Sequence, residues 1–325
     1  MKKIAILTSG GDAPGMNPAL CAIIRCAKSN GLTPYIVYEG FKGLYENNIK
    51  LTDDLDLDHV QSQGGTAIYS ARFPEFKNEE VRNVAIENLM KKGIDSLIVI
   101  GGDGSYMGAQ LLHEKGFKTI GIPGTIDNDI ASSDYTIGYD TALNTIVDSI
   151  DKIRDTATSH KRIMIVEVMG NECGDLALYS GLATGAEIIA TSDHVISIPD
   201  MANLAYELTL QEKRRSVIII VSEKRYDLKY LEKAIEEKTK WTTRATSLAH
   251  VQRGGRPTAQ ERILSSLFGI KAVELILEGK SGLAIGVINN DIVGTPILEA
   301  LSMVNKAKEK ARVKLQKYNK LNKIL

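Results

Sequence analysis

Four short segments hold the residues best suited to chemistry: TSGGDAPGMN at 8–17, GGDGS at 101–105, PGTIDND at 123–129 and MGNECGD at 169–175. Each follows a short aliphatic run. Glycines at 10, 11, 15, 101, 102 and 104 let backbone amides approach a ligand closely, and a helix starting just after such a loop favours an anion. Asp103, Asp127 and Asp129 stand among these glycines, where they would repel phosphate unless a cation lay between. Magnesium, commonly held by one or two carboxylates and by phosphate oxygens, resolves that conflict. Taken singly, each loop reads better as a tight strand-to-helix turn and each aspartate as a turn or helix cap; it is their combination on one sheet edge that points to a ligand.

Phosphoryl transfer asks for in-line positioning, neutralisation of spreading negative charge and a group to accept the nucleophile's proton. Arg72 in SARFPEF, Arg162, Arg244, and Arg253 with His250 in HVQRGG offer forked donors for phosphate, though any one of them suits an ordinary surface. Two competing phosphate motifs fail. Gly279-Lys280-Ser281 has Glu274 where a P-loop needs its first glycine. Gly102 and Gly104 are followed by Met107, which delays the third glycine of a dinucleotide fingerprint to Gly108.

The elements that must position these loops are legible as well. Ile4 to Leu7, Leu97 to Ile100, Ile120 to Ile122, Ile163 to Val166, Val217 to Val221 and Ala284 to Ile288 are continuous apolar runs, the pattern of strands buried on both faces. Between them lie helical patterns, such as Leu143, Ile146, Val147, Ile150, Ile153 and Ala157 behind a cap at Asp140. The alternation predicts parallel sheets covered by helices, with ligands gathered beyond the carboxyl ends of the strands. At 325 residues the chain suits about two domains, but no repeat or linker marks a boundary.

Forty basic against forty acidic residues give no net charge, so no bulk field is available for nucleic acid or an anionic membrane. Cys21, Cys26 and Cys173 form no CxxC pair and suit reduced thiols rather than a zinc site. No stretch has the length of a signal-peptide core or of a membrane span, and a cytoplasmic location is expected. The lysine-rich tail at 305–325 reads as a solvated amphipathic helix.

TSGGDAPGMN, SARFPEF, GGDGSYMGA, PGTIDNDI, VMG at 168–170 and HVQRGG, in this order from about Ile4 to Pro296, closely resemble bacterial ATP-dependent 6-phosphofructokinases. The resemblance implies two doubly wound α/β lobes with mainly parallel sheets and the active site in the cleft between them. Residues 1–138 plus 252–303 would form an ATP-binding lobe, and 139–251 plus 304–325 a sugar-phosphate-binding lobe. It implies a homotetramer that phosphorylates fructose 6-phosphate at the 1-hydroxyl. Gly11, Arg72, Phe73, Gly102, Gly104 and Ser105 would contact ATP, with Asp103 and Asp129 around magnesium. Asp127, beside Thr125, would be the general base, with Arg72 offsetting charge on the moving phosphoryl. Met169, Gly170, Glu223, His250 and Arg253 would hold the sugar phosphate, joined by Arg162 and Arg244 from a neighbouring subunit. Glycine at 104 and 124 favours ATP over pyrophosphate as donor.

The chain departs from the family at two places. Asn171 stands where the family has arginine, removing a cation near the reacting phosphates. The effector pocket would keep Arg25, Arg154, Gly185, Glu187 and Lys213. Cys21 and Asp54 replace common arginines and Gln211 a common basic residue, so weak or absent allosteric control is expected. Transfer to another ketose phosphate, and a non-catalytic regulatory paralogue, remain open alternatives.

Overall fold

The computed structural model describes residues 2–303; the tail read as an amphipathic helix lies outside them. The strands are β1 (Lys3–Thr8), β2 (Thr33–Val37), β3 (Ile49–Leu51), β4 (Ser96–Gly101), β5 (Lys118–Thr125), β6 (Ile137–Gly138), β7 (Arg162–Val168), β8 (Ile188–Ala190), β9 (Ser216–Ser222), β10 (Thr243–Ser247), β11 (Leu283–Ile288) and β12 (Asp291–Pro296). The helices are α1 (Met16–Ser29), α2 (Gly40–Tyr45), α3 (Leu57–Val60), α4 (Glu79–Lys91), α5 (Asp103–Glu114), α6 (Tyr139–His160), α7 (Asp175–Thr184), α8 (Ile198–Thr209), α9 (Leu228–Thr239), α10 (Ala259–Leu277) and α11 (Ile297–Ser302).

The described chain divides into two compact units, one of residues 2–126, 130–141 and 253–303, the other of 127–129 and 142–252. In the first, the sheet runs β12-β11-β5-β4-β1-β2-β3, with β6 paired to β5. Its pairings are parallel except at the rims, where β2–β3 and β11–β12 are antiparallel. Every residue of β4 is buried, as an unbroken apolar run covered by helices on both faces requires. Tyr106 on α5, fully buried, packs with Leu97, Val99 and Phe41 in one core layer. In the second unit, β10-β7-β9-β8 form an all-parallel sheet whose centre, β9, is buried throughout.

The helical pattern around Leu143 is α6, but Asp140 is not its cap. The helix begins at Tyr139, so Asp140 lies inside the first turn. The carboxylate of Glu261 on α10 accepts the amides of Gly138 (2.8 Å) and Thr141 (3.1 Å) at that helix start. A side chain distant in sequence has taken the capping role, because those amides are buried and would otherwise be unsatisfied.

Candidate active site

In the first sheet the strand order reverses direction between β1 and β4: β2 lies to one side of β1, and β5 beyond β4. Such a switch point opens a crevice at the carboxyl ends of the two strands. The loop after β1 carries Gly10 and Gly11, and β4 passes through Gly102 straight into the first turn of α5, Asp103 to Ser105. They meet there. The Ser9 amide donates to the Ile100 carbonyl (2.9 Å), and a Cβ on Gly101 would lie 2.5 Å from the Ser9 carbonyl oxygen. Ser105 is buried beside both loops, while a Cβ on Gly102 or Gly104 would meet nothing within 4 Å. The loops are thus closed toward the protein and open on the ligand side.

Asp103 begins α5 between those two open glycines, where the positive end of the helix stabilises its carboxylate and would equally favour phosphate. Among the described residues, no three His, Cys, Asp or Glu side chains converge on a metal position. A cation here would take part of its shell from one or two carboxylates and the rest from phosphate oxygens and water. That donor set fits magnesium.

Arg253, expected on the sugar phosphate, belongs to the first unit and lies against the first glycine loop. Its Nη1 donates to the Asp12 carbonyl (2.8 Å), and a Cβ on Gly11 would come within 2.6 Å of the same nitrogen. Arg72 is exposed and Phe73 half-buried, its ring 5.8 Å from that of Tyr45. Gly124 is packed tightly, a Cβ there lying 2.9 Å from Met16 Cε, so a larger side chain would not fit without repacking.

Thr125 ends β5, and Asp127 to Asp129 follow directly, grouped with the second unit. There, Asn128 Nδ2 donates to Asp175 (2.8 Å) and Cys173 Sγ to the Asn128 carbonyl (3.7 Å), which ties the aspartates to the loop after β7. Burial raises the Asp129 carboxyl, opposed by a bond from its own backbone and by the Asn171 side chain. Burial likewise raises the Cys173 thiol, which leaves it a poor nucleophile.

The carboxyl ends of β7 and β9 bring Met169, Gly170 and Glu223 together. The Glu223 amide donates to Val168 (2.8 Å), and Glu223 Oε1 accepts the Asn171 amide (3.0 Å). Gly170 has φ +139, and a Cβ would lie 2.5 Å from the Cys173 carbonyl oxygen, so only glycine suits that turn. Asn171 itself is left-handed (φ 52), a conformation asparagine tolerates, and its Oδ1 accepts from Lys224 Nζ (3.3 Å). His250 lies in the short helical turn Ala249–Arg253 after β10, exposed. Arg162 and Arg244 are not with this group. Arg162 opens β7 and Arg244 is the second residue of β10, its guanidinium on Glu236 (3.2 Å) and Glu232 (3.5 Å). At ~3.3 Å per residue, they lie toward the amino ends of their strands, roughly 20 Å from Met169 at the carboxyl ends.

The residues expected at an effector pocket fall into two groups. Arg154 bonds Glu187 (3.3 Å) and the carbonyls of Thr184 (3.0 Å) and Gly185 (3.1 Å), and Glu187 also accepts Arg214 (2.7 Å) and the Ile218 amide (2.8 Å). A hollow of about 470 Å³ beside them is lined by Glu187, Gln211, Lys213, Arg214 and Arg215. In the first unit, Arg25 pairs with Asp58 (2.7 Å), Cys21 is buried with its thiol pushed up to about 11, and Asp54 is exposed. Arg214 and Arg215, which line the same hollow, were not among the expected residues; the run Lys213-Arg214-Arg215 was the available signal.

The phosphofructokinase family model matches residues 3–276. An ATP-dependent 6-phosphofructokinase of Mycoplasmopsis pulmonis is 56% identical over 99% of both chains. One from Photobacterium profundum is 50% identical over 93% of this chain and 94% of its own. The structure of phosphofructokinase from Saccharomyces cerevisiae superposes with a TM-score of 0.88 at 35% identity over 96% of this chain, which spans 47%, about half, of the yeast chain. With a family match over most of the sequence and relatives this similar along nearly all of it, the chain belongs to the phosphofructokinase family.

Proposed function

We propose that this protein is a cytoplasmic kinase that transfers the γ-phosphoryl of ATP to the 1-hydroxyl of fructose 6-phosphate, giving fructose 1,6-bisphosphate in glycolysis. One observation carries the reading: two glycine loops meet at the switch point of a parallel sheet, with open space on both sides of Asp103. The names of the close relatives point to the same donor and reaction class.

In this reading the first unit is the ATP-binding lobe and the second the sugar-phosphate-binding lobe. Gly11, Gly102, Gly104 and Ser105 cradle the donor's phosphates, Phe73 lies by the nucleoside, and Arg72 offsets charge on the moving phosphoryl. Asp103 and Asp129 would hold magnesium, whose charge neutralises the phosphate oxygens. Asp127, oriented beside Thr125, accepts the proton of the 1-hydroxyl as it attacks. Met169, Gly170, Glu223 and His250 orient the sugar, and Arg253 serves its phosphate. Arg162 and Arg244, near the amino ends of their strands, serve a neighbouring subunit's sugar site in a homotetramer. Arg25, Arg154, Gly185, Glu187 and Lys213 form an effector site whose response is weakened by Cys21, Asp54 and Gln211.

The test is a coupled assay with fructose 6-phosphate and either ATP or pyrophosphate, wild type beside Asp127→Ala. Activity with ATP, reduced ~10²-fold to 10⁴-fold in the variant, is expected. Equal rates would remove Asp127 from its role. A large activity change at micromolar phosphoenolpyruvate or ADP would overturn the weakened effector response.

A further inference from the structure

Asn17, in the first turn of α1, has no part in the site described above, yet the residue is only 2% exposed and its side chain is fully engaged. Its Nδ2 donates to the carbonyls of Gln63 and Gly64, 3.1 Å each, and its Oδ1 accepts the Ala67 amide at 2.7 Å. Two carbonyls on one side and an amide on the other fix the sense of the side-chain amide. All three partners lie in residues 61–72, a segment without helix or strand that ends at Arg72.

A segment of this kind has no ladder of its own, so its path is set by bonds to the body of the protein. Thr8 Oγ1, at the end of β1, donates to the Tyr69 carbonyl (2.8 Å) and pairs with Thr66 Oγ1 (2.7 Å). Ser70 Oγ donates to the carbonyl of Gly10 (2.6 Å), inside the first glycine loop. Gly64 runs so close to Gly255 that a Cβ would fall 2.2 Å from its carbonyl oxygen. Arg72 is exposed and makes no hydrogen bond or ion pair of its own among the described residues. Where its guanidinium stands is decided by the main chain that carries it.

We propose that Asn17 is a positioning residue for Arg72: its side-chain amide clamps the 63–67 turn, and Ser70 completes the lashing at Gly10, so that Arg72 is delivered beside the glycine loop. The assignment rests on the role given to Arg72 in the proposed function. The clamp acts by orientation, and displacements of about 1 Å at a reacting centre cost ~10²-fold in rate.

The experiment measures kcat and KM for ATP and fructose 6-phosphate, with thermal melting, for Asn17→Ala, Asn17→Asp and Ser70→Ala, each with Arg72 present and with Arg72→Ala. Asn17→Ala is expected to lower kcat ~10²-fold when Arg72 is present and by less than about threefold when it is absent. Asn17→Asp, of the same shape, does no better than alanine, because its second oxygen faces two carbonyls. Ser70→Ala, with a smaller loss of about tenfold, keeps the melting temperature and the same dependence on Arg72, and it carries the test should Asn17→Ala not fold. Equal losses in both backgrounds, no loss in either, or full activity in Asn17→Asp overturns the assignment. A wild-type chain without activity on ATP and fructose 6-phosphate overturns the functional reading, and this assignment with it; an active wild type with equal losses overturns the assignment alone.

Discussion

Glu261 offers a quantitative test of how the glycine loop is supported. Its carboxylate, fully buried, accepts Gly138 N (2.8 Å), Thr141 N (3.1 Å) and Thr141 Oγ1 (3.2 Å), and its side chain touches the space a Cβ on Gly15 would need. Burial, with Asp140 adding to it, pushes its pKa from 4.5 up to about 7, against those three bonds. The folded pKa is therefore the higher one. Between the two values the folded protein holds a proton that the unfolded chain has released, so stability falls as pH rises through that window and levels off above the folded pKa. From about pH 5.5 to about pH 8, this single group removes about 2 kcal/mol. Urea unfolding across that range, for wild type and Glu261→Gln, isolates the effect because glutamine cannot titrate. The free-energy difference should move by about 2 kcal/mol in favour of the variant as pH rises. Any constant offset from glutamine's amide hydrogens facing Gly138 and Thr141 does not alter that slope. A difference that stays flat to within about 0.5 kcal/mol would refute the reasoning.

Gly104→Ala places a methyl in open space at a helix start, so melting should hold or rise slightly while the KM for ATP increases on the order of tenfold; an unchanged KM would count against a nucleotide there. Gly11→Ala puts a Cβ 2.6 Å from Arg253 Nη1 and should push the guanidinium off the Asp12 carbonyl, costing about 1.5–3 kcal/mol, read as a raised KM for fructose 6-phosphate. A double-mutant cycle with Arg253→Ala should be strongly non-additive, and additive effects would contradict the contact. Glu187→Ala leaves Arg154, Arg214 and the Ile218 amide without their shared acceptor and should destabilise the second unit by about 2 kcal/mol in urea melts; no change would mean that solvent replaces the carboxylate.

Six strands, β1, β4, β5, β7, β9 and β11, were readable because a strand covered on both faces is apolar over most of its length, whereas β2, parallel and inside its sheet but reading Thr-Pro-Tyr-Ile-Val, carried no such run. The rims were not. β10 reads Thr-Arg-Ala-Thr-Ser and β3 only Ile-Lys-Leu, edge strands half in water that carry no continuous run. Asp140 had the right residue type and place for a cap, yet a carboxylate 121 positions further along, on α10, took those amides.

The types and spacing of glycines and aspartates by themselves determined that this chain has loops fit for phosphate at the ends of buried strands, since close approach of a backbone to an anion leaves few alternatives to glycine. Tertiary structure alone decided which of those loops face one another, that Arg253 leans on the first of them, that Arg162 and Arg244 stand side by side near the amino ends of their strands, and that Arg214 joins Glu187. An exposed cation carries no periodic or conformational signature. Its neighbours are set by strand order and by crossings of the chain, which bring together residues that linear spacing keeps apart.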